Sequence, residues 1–206
     1  MYKRIVKRLL DFTLAGFLII LLSPVLLIAA LLIKVESPGK IIFRQQRIGY
    51  CGNVFTIYKF RSMKENSEHT GNGAYCEKGD ERLTRVGSFL RATSIDELPQ
   101  LVNIIRGEMS FIGPRPPLTY HPWAFDEYTD EQKRMFEVRP GITGWAQVHG
   151  RKNVEWHERI KMNIWYVDHL SFGLDTKIFF MTIFKVIVNA DNKNNGKTVA
   201  QELSGE

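Results

Sequence analysis

The sequence predicts a small, helix-rich mixed α/β domain carried on an N-terminal re-entrant helix–break–helix in the membrane. Three observations point there. Residues 12–33 form one uncharged apolar run, residues 41–63 alternate apolar and polar side chains about a glycine turn, and later stretches repeat apolar residues at helical spacing. A chain of 206 residues is long enough for one domain with a real core. The expected division is 1–36 in the membrane, 37–190 as a cytoplasmic domain, and 191–206 as a flexible polar tail.

The apolar run FTLAGFLIILLSPVLLIAALLI would measure about 33 Å as a straight helix, enough to cross a bilayer. It lacks a small-residue cleavage site at its end, so it reads as a retained segment and not a signal peptide. Ser23 and Pro24 break it at its midpoint, where proline removes a backbone donor. The flanks carry Lys3, Arg4, Lys7 and Arg8 on one side and Lys34, Lys40, Arg44 and Arg47 on the other. Basic residues favour the cytoplasmic face, so two basic flanks favour a hairpin that dips in and returns over a full span.

Residues 41–63 then read as a β-hairpin around Gly49–Asn53, whose second strand delivers Tyr58, Lys59, Phe60 and Arg61 to one end. Residues 65–81 are polar, glycine-bearing and without periodicity, and read as a loop. A short helix is expected over 82–92, ending near Arg91. Residues 123–135 suggest an acidic surface helix. Arg139 to Gly144 reads as a tight turn with exposed backbone N–H groups, followed by a strand-like stretch through Gln147, His149 and Arg151. Helices are expected over 154–166 and 175–189, the second apolar around most of its circumference. It suits either a core position or the lipid interface.

The densest signal is SIDELPQLVNIIRGEMSFIGPRP, residues 94–116. Leu98, Leu101, Val102, Ile104 and Ile105 have helical spacing, Gly107 is a stop, and Pro99 suits a first turn. Asp96 and Glu97 fall at the expected N-terminus, where the helix dipole favours negative charge. A capping box from Ser94 to Glu97 would employ one acid and leave the other without a task. Two acids among Arg91, Arg106 and Arg115 suit a divalent metal together with a phosphate.

Bulk properties narrow the partners. The net charge of +6 calls for an anionic partner. The basic residues are scattered singly, without the aromatic-interleaved stripe of a nucleic-acid surface. Cys51 and Cys76 form neither a disulfide framework nor a zinc motif, and no Walker loop or GxGxxG occurs.

SIDELPQLVNIIRGEMSFIGPRP, with VRPGITGWAQVHGR at 138–151, IYKFRSM at 57–63 and SFGLDTKI at 171–178, resembles the bacterial sugar transferase family, the small monotopic polyprenyl-phosphate phosphoglycosyl transferases. The resemblance implies re-entrant topology and a catalytic domain on the cytoplasmic face of the bacterial inner membrane. It implies transfer of a sugar-1-phosphate from a UDP-sugar to undecaprenyl phosphate with release of UMP, the first membrane step of a surface glycan pathway. Asp96 would be the nucleophile, carrying a covalent phosphosugar. Glu97 would share a Mg²⁺ with Asp96 or accept a proton. Lys59, Arg91, Arg115 and Arg139 would contact phosphate. The residues leave open a direct ternary-complex transfer, with the acidic pair binding metal only, and a non-catalytic membrane-tethered anion-binding module.

Overall fold

The computed structural model describes residues 2–64, 67, 80–150 and 155–188. The 65–81 loop, apart from residues 67, 80 and 81, the tail at 191–206, Arg151 and Cys76 lie outside the described residues. Helices α1 (Lys7–Leu21) and α2 (Ser23–Glu36) lead into the antiparallel hairpin of β1 (Ile42–Ile48) and β2 (Val54–Phe60). Helices α3 (Arg85–Ala92) and α4 (Gln100–Arg106) precede strand β3 (Ser110–Ile112). The short α5 (Asp130–Lys133), β4 (Gly141–Thr143) and α6 (Trp145–His149) follow, and α7 (Trp156–Asp168) and α8 (Phe172–Val188) complete the order.

The break falls where Ser23 and Pro24 predict it. Pro24 has no N–H for the Ile20 carbonyl, and the Ser23 hydroxyl donates to that carbonyl instead at 2.8 Å. The two helices meet at a 62° bend. Among the described residues no single helix is long and apolar enough to cross a membrane, whereas this bent pair passes on length and composition.

Helix α1 is amphipathic in the inverse sense. It buries Lys7, Asp11 and Ala15 against the domain and turns Leu9, Leu10, Phe12, Phe17 and Ile20 outward. Ala15 shares an apolar cluster with Ile57 of β2, Leu101 and Ile104 of α4, and Met109. Helix α2 contributes Ala29 and Ile33 to a cluster with Phe60 and Leu90, against which Ile95 packs. Two further clusters, around Phe136 and around Tyr166, seat α7 and α8.

The β1–β2 pairing runs from Ile42 opposite Phe60 to Ile48 opposite Val54, with the turn close to where the glycine predicts it. Four local expectations change. The stretch read as a turn at 139–144 supplies β4, parallel to β3 with Ser110 opposite Gly141 and Ile112 opposite Thr143. The stretch read as a strand through Gln147 and His149 is helix α6. It buries Ala146, Gln147 and Val148 in succession, and His149 Nδ1 donates to the Trp145 carbonyl at 2.9 Å. Residues 123–135 break into a 3₁₀ turn and the four-residue α5, because Thr129 restarts the chain with a capping box to Gln132. The acidic pair precedes α4 on a separate 3₁₀ turn, Ile95–Glu97, and Pro99 is the cap of α4.

Candidate active site

The site forms where β2, the end of α3 and the 3₁₀ turn converge. Ser94 adopts the left-handed conformation (φ 59°, ψ 15°) and turns the chain sharply out of α3, at a cost of roughly 1 kcal/mol for a non-glycine residue. Asp96 then points inward and is 7 % exposed, while Glu97 stays partly accessible. The Ser94 side chain caps nothing, so the capping-box account of Glu97 does not hold.

Glu97 is pinned by cations. Lys59 Nζ donates to its Oε1 at 2.7 Å, and Arg115 NH2 reaches the same oxygen at 3.5 Å. Burial pulls the Lys59 ammonium below its usual range, and the Glu97 charge opposes that fall. Arg91 Nε donates to Ser62 Oγ at 2.8 Å, which places its charge beside Asp96. Gly87 permits this docking: a Cβ there would lie 1.9 Å from the Ser62 carbonyl oxygen.

Asp96 differs from Glu97. Among the described residues, no side chain or backbone N–H donates to its carboxyl group. Burial drives its pKa from 3.8 up to about 6, with the Glu97 charge adding to the rise and Lys59, Arg91 and Arg115 opposing it. A carboxylate held near three cations, yet bonded to none, is a group with electron pairs to offer.

The structure brings together Asp96, Glu97, Lys59, Arg91 and Arg115. It places Arg139 elsewhere: Nε donates to the Gly107 carbonyl at the end of α4 at 2.7 Å, and the guanidinium lies over the Tyr50 ring. Arg8 serves the neighbouring Ile105 carbonyl at 2.8 Å, so both arginines complement a helix C-terminus. The ion pair nearest the dyad is supported by a residue that sequence reading passed over. Asn103, fully buried, donates to Thr56 O at 2.7 Å and accepts from Tyr58 N at 3.1 Å, fastening α4 to the strand that carries Lys59. Its signal is a polar residue set among Leu101, Ile104 and Ile105.

The GPRP loop is held from below. Ser110 N donates to Pro140 O at 2.8 Å and Gly113 N to Thr143 O at 2.9 Å. A Cβ at Gly144 would sit 2.1 Å from Gly113 O, so only bare backbone allows this approach. Arg115 therefore emerges from a braced turn, aimed at Glu97.

Two adjacent carboxylates and three cations at one spot can hold a divalent cation with a diphosphate, or offer a nucleophile to an electrophilic phosphorus. Among the described residues no cluster of three or more His, Cys, Asp or Glu side chains forms, so these residues alone provide no full metal cage.

Residues 2–189 match the bacterial sugar transferase family. The chain is 40 % identical over 202 residues to an uncharacterized sugar transferase, EpsL, of Bacillus subtilis, covering 98 % of this chain and 96 % of that one. It is 45 % identical over 182 residues to a UDP-glucose:undecaprenyl-phosphate glucose-1-phosphate transferase of Caulobacter vibrioides, covering 86 % of this chain and 68 % of the relative. To a UDP-N-acetylgalactosamine-undecaprenyl-phosphate N-acetylgalactosaminephosphotransferase of Aeromonas hydrophila it is 44 % identical over 185 residues, 88 % of this chain but only 44 % of that protein. The chain belongs to the bacterial sugar transferase family.

Proposed function

We propose that this member of the bacterial sugar transferase family moves a sugar-1-phosphate from a UDP-sugar to a polyprenyl phosphate, with Asp96 as covalent nucleophile. The observation that carries the reading is the state of Asp96: buried, raised to about 6, ionised at neutral pH, and without a hydrogen-bond donor among the described residues. The names of the relatives from Caulobacter and Aeromonas support the donor and acceptor classes.

In the first step an Asp96 carboxylate oxygen attacks the β-phosphorus of the UDP-sugar. The bond from that phosphorus to the bridging oxygen breaks, and UMP departs with the oxygen. In the second step a phosphate oxygen of the lipid attacks the same phosphorus. The acyl–phosphate bond breaks, the carboxylate is restored, and polyprenyl-diphosphate-sugar leaves. Lys59, Arg91 and Arg115 stabilise charge as it develops on the phosphoryl oxygens. Lys59 and Arg115 also hold Glu97 in place, which keeps the second carboxylate from taking the nucleophile's position.

The acidic pair fits a Mg²⁺ ion, because magnesium is commonly held by one or two carboxylates with substrate phosphates completing its shell. Asp96 and Glu97 would hold it, and it would supply neutralisation of the donor diphosphate. Glu97 would serve that ion or accept a proton.

A lipid acceptor cannot leave the bilayer cheaply, at about 0.8 kcal/mol per exposed CH₂, so the reaction belongs at the membrane surface. The outward apolar faces of α1 and α2, and exposed Phe172, Phe180 and Phe184 on α8, support a hairpin embedded in lipid, and the basic residues on both of its flanks support entry from the cytoplasmic face of a bacterial inner membrane. Incubation with UDP-glucose, UDP-N-acetylgalactosamine and related donors plus Mg²⁺ tests the function by UMP release and names the sugar. A phosphosugar adduct on Asp96, detected by mass spectrometry before acceptor is added, is the expected result. Rapid product formation with no adduct would replace the covalent route by direct transfer.

A further inference from the structure

We infer that Glu36, at the last residue of the hairpin, is a positioning residue that ties the membrane segment to the reacting carboxylate through α3. The inference rests on the transferase reading above. The Glu36 carboxylate accepts from Arg85 N at 2.7 Å and Val86 N at 3.0 Å, the first two N–H groups of α3. The Thr84 hydroxyl serves the third, accepting from Gly87 N at 2.9 Å, and the N–H of Thr84 itself donates to Ser62 O at 3.1 Å. All four otherwise unpartnered donors of the helix are met, half of them by a residue from the hairpin.

The other end of α3 carries Arg91 to Asp96. Between the two ends, Leu90 packs with Ala29 and Ile33 of α2 and with Ile95, the residue before the nucleophile. The strand that bears Lys59 grips the same hairpin exit: Arg61 NH1 donates to Pro38 O at 2.7 Å, and NH2 donates to Ser37 O at 2.9 Å and Ser37 Oγ at 2.8 Å. Residues 36–38 are thus fastened separately to the element carrying Arg91 and to the one carrying Lys59. A change in the seating of α2 moves both cations relative to Asp96. An ordinary cap would stabilise its own helix locally. Glu36 instead lies 49 positions from the N–H it serves.

The test uses the full chain in phospholipid nanodiscs, with UMP release and amide exchange measured together. Glu36→Ala is expected to speed exchange over residues 85–91 about fivefold and to lower kcat about fivefold, with KM for the UDP-sugar within about twofold. Glu36→Gln, which keeps one acceptor oxygen, should restore part of both, and Ser37→Ala should lower kcat about twofold. Combined with Arg91→Lys, Glu36→Ala should cost less than the product of the single effects. Faster exchange with wild-type kcat would overturn the positioning role, as would unchanged exchange, or a loss in Glu36→Ala that glutamine does not recover. A wild-type protein that releases no UMP from any donor would refute the transferase reading, and the coupling falls with it.

Discussion

Lys7–Asp175 and Lys59–Glu97 are lysine–carboxylate pairs of nearly equal length, and they serve opposite ends. Lys7 lies 2.6 Å from Asp175 and Lys59 lies 2.7 Å from Glu97. At the first pair every oxygen is occupied. Tyr2 donates to Asp175 Oδ2 at 2.6 Å beside Lys7, and Tyr166 donates to Oδ1 at 2.7 Å. That cluster joins Tyr2 and the start of α1 to α8 and α7. At the second pair the cations and Glu97 satisfy one another, and the adjoining Asp96 has no donor among the described residues. A closed polar cluster fixes geometry. An incomplete one leaves a carboxylate open to a ligand, at the expense of stability.

The comparison is broken most directly at Asp96. Asp96→Asn should reduce UMP release by at least about 10³-fold, and Glu97→Gln by about 10²-fold, in a coupled UMP assay. Near-wild-type turnover in Asp96→Asn would remove the nucleophile. At the closed cluster the loss should appear in stability. Asp175→Ala removes the ion-pair partner of Lys7 and the acceptor of the Tyr2 hydroxyl, leaves Tyr166 its 3.2 Å bond to the Ile112 carbonyl, and should cost about 3–5 kcal/mol in denaturant unfolding while the folded fraction keeps its turnover number.

The sign reverses for stability at Asp96. Its folded pKa of about 6 exceeds the ordinary 3.8, so the native state binds that proton more tightly than the unfolded chain. In metal-free protein this contribution is full below pH 4 and is lost as pH rises to 6. Asp96→Asn should therefore gain about 3 kcal/mol at pH 7 and flatten the profile between pH 4 and 6. Unfolding curves in EDTA across that range check it; an unstabilised variant would mean that the cations already satisfy the carboxylate. The smallest effect belongs to a third pair, Arg134 with Asp168, with both side chains about two-fifths exposed. Arg134→Ala should change stability by less than about 0.5 kcal/mol, which calibrates the buried pairs.

What was legible in the sequence was local. The Ser23–Pro24 break, the alternation of residues 41–63, the apolar rows of α7 and α8, and the acidic pair each act through neighbours in the chain. The pairing of β3 with β4 was hidden because three-residue strands 31 positions apart leave almost no periodicity. The helix at Trp145–His149 escaped for a related reason: its form is decided by burial beneath the GPRP loop and by Trp145 stacking on Trp165 at 4.4 Å. Arg139 illustrates the limit for sites. A guanidinium in a glycine turn is equally suited to an anion and to helix carbonyls, and only the tertiary approach of Gly107 decides between them.

The inside-out amphipathicity of α1 has a practical corollary. Excising residues 1–36 to obtain a water-soluble fragment would remove Ala15, Ala29 and Ile33 from the interior and detach Lys7 from its acid, leaving a hole where a wall stood. Repainting is the better route: substituting glutamate and lysine at Leu9, Phe17, Ile20, Leu27, Ile28, Leu31 and Val35, all more than half exposed, while leaving every inward position untouched.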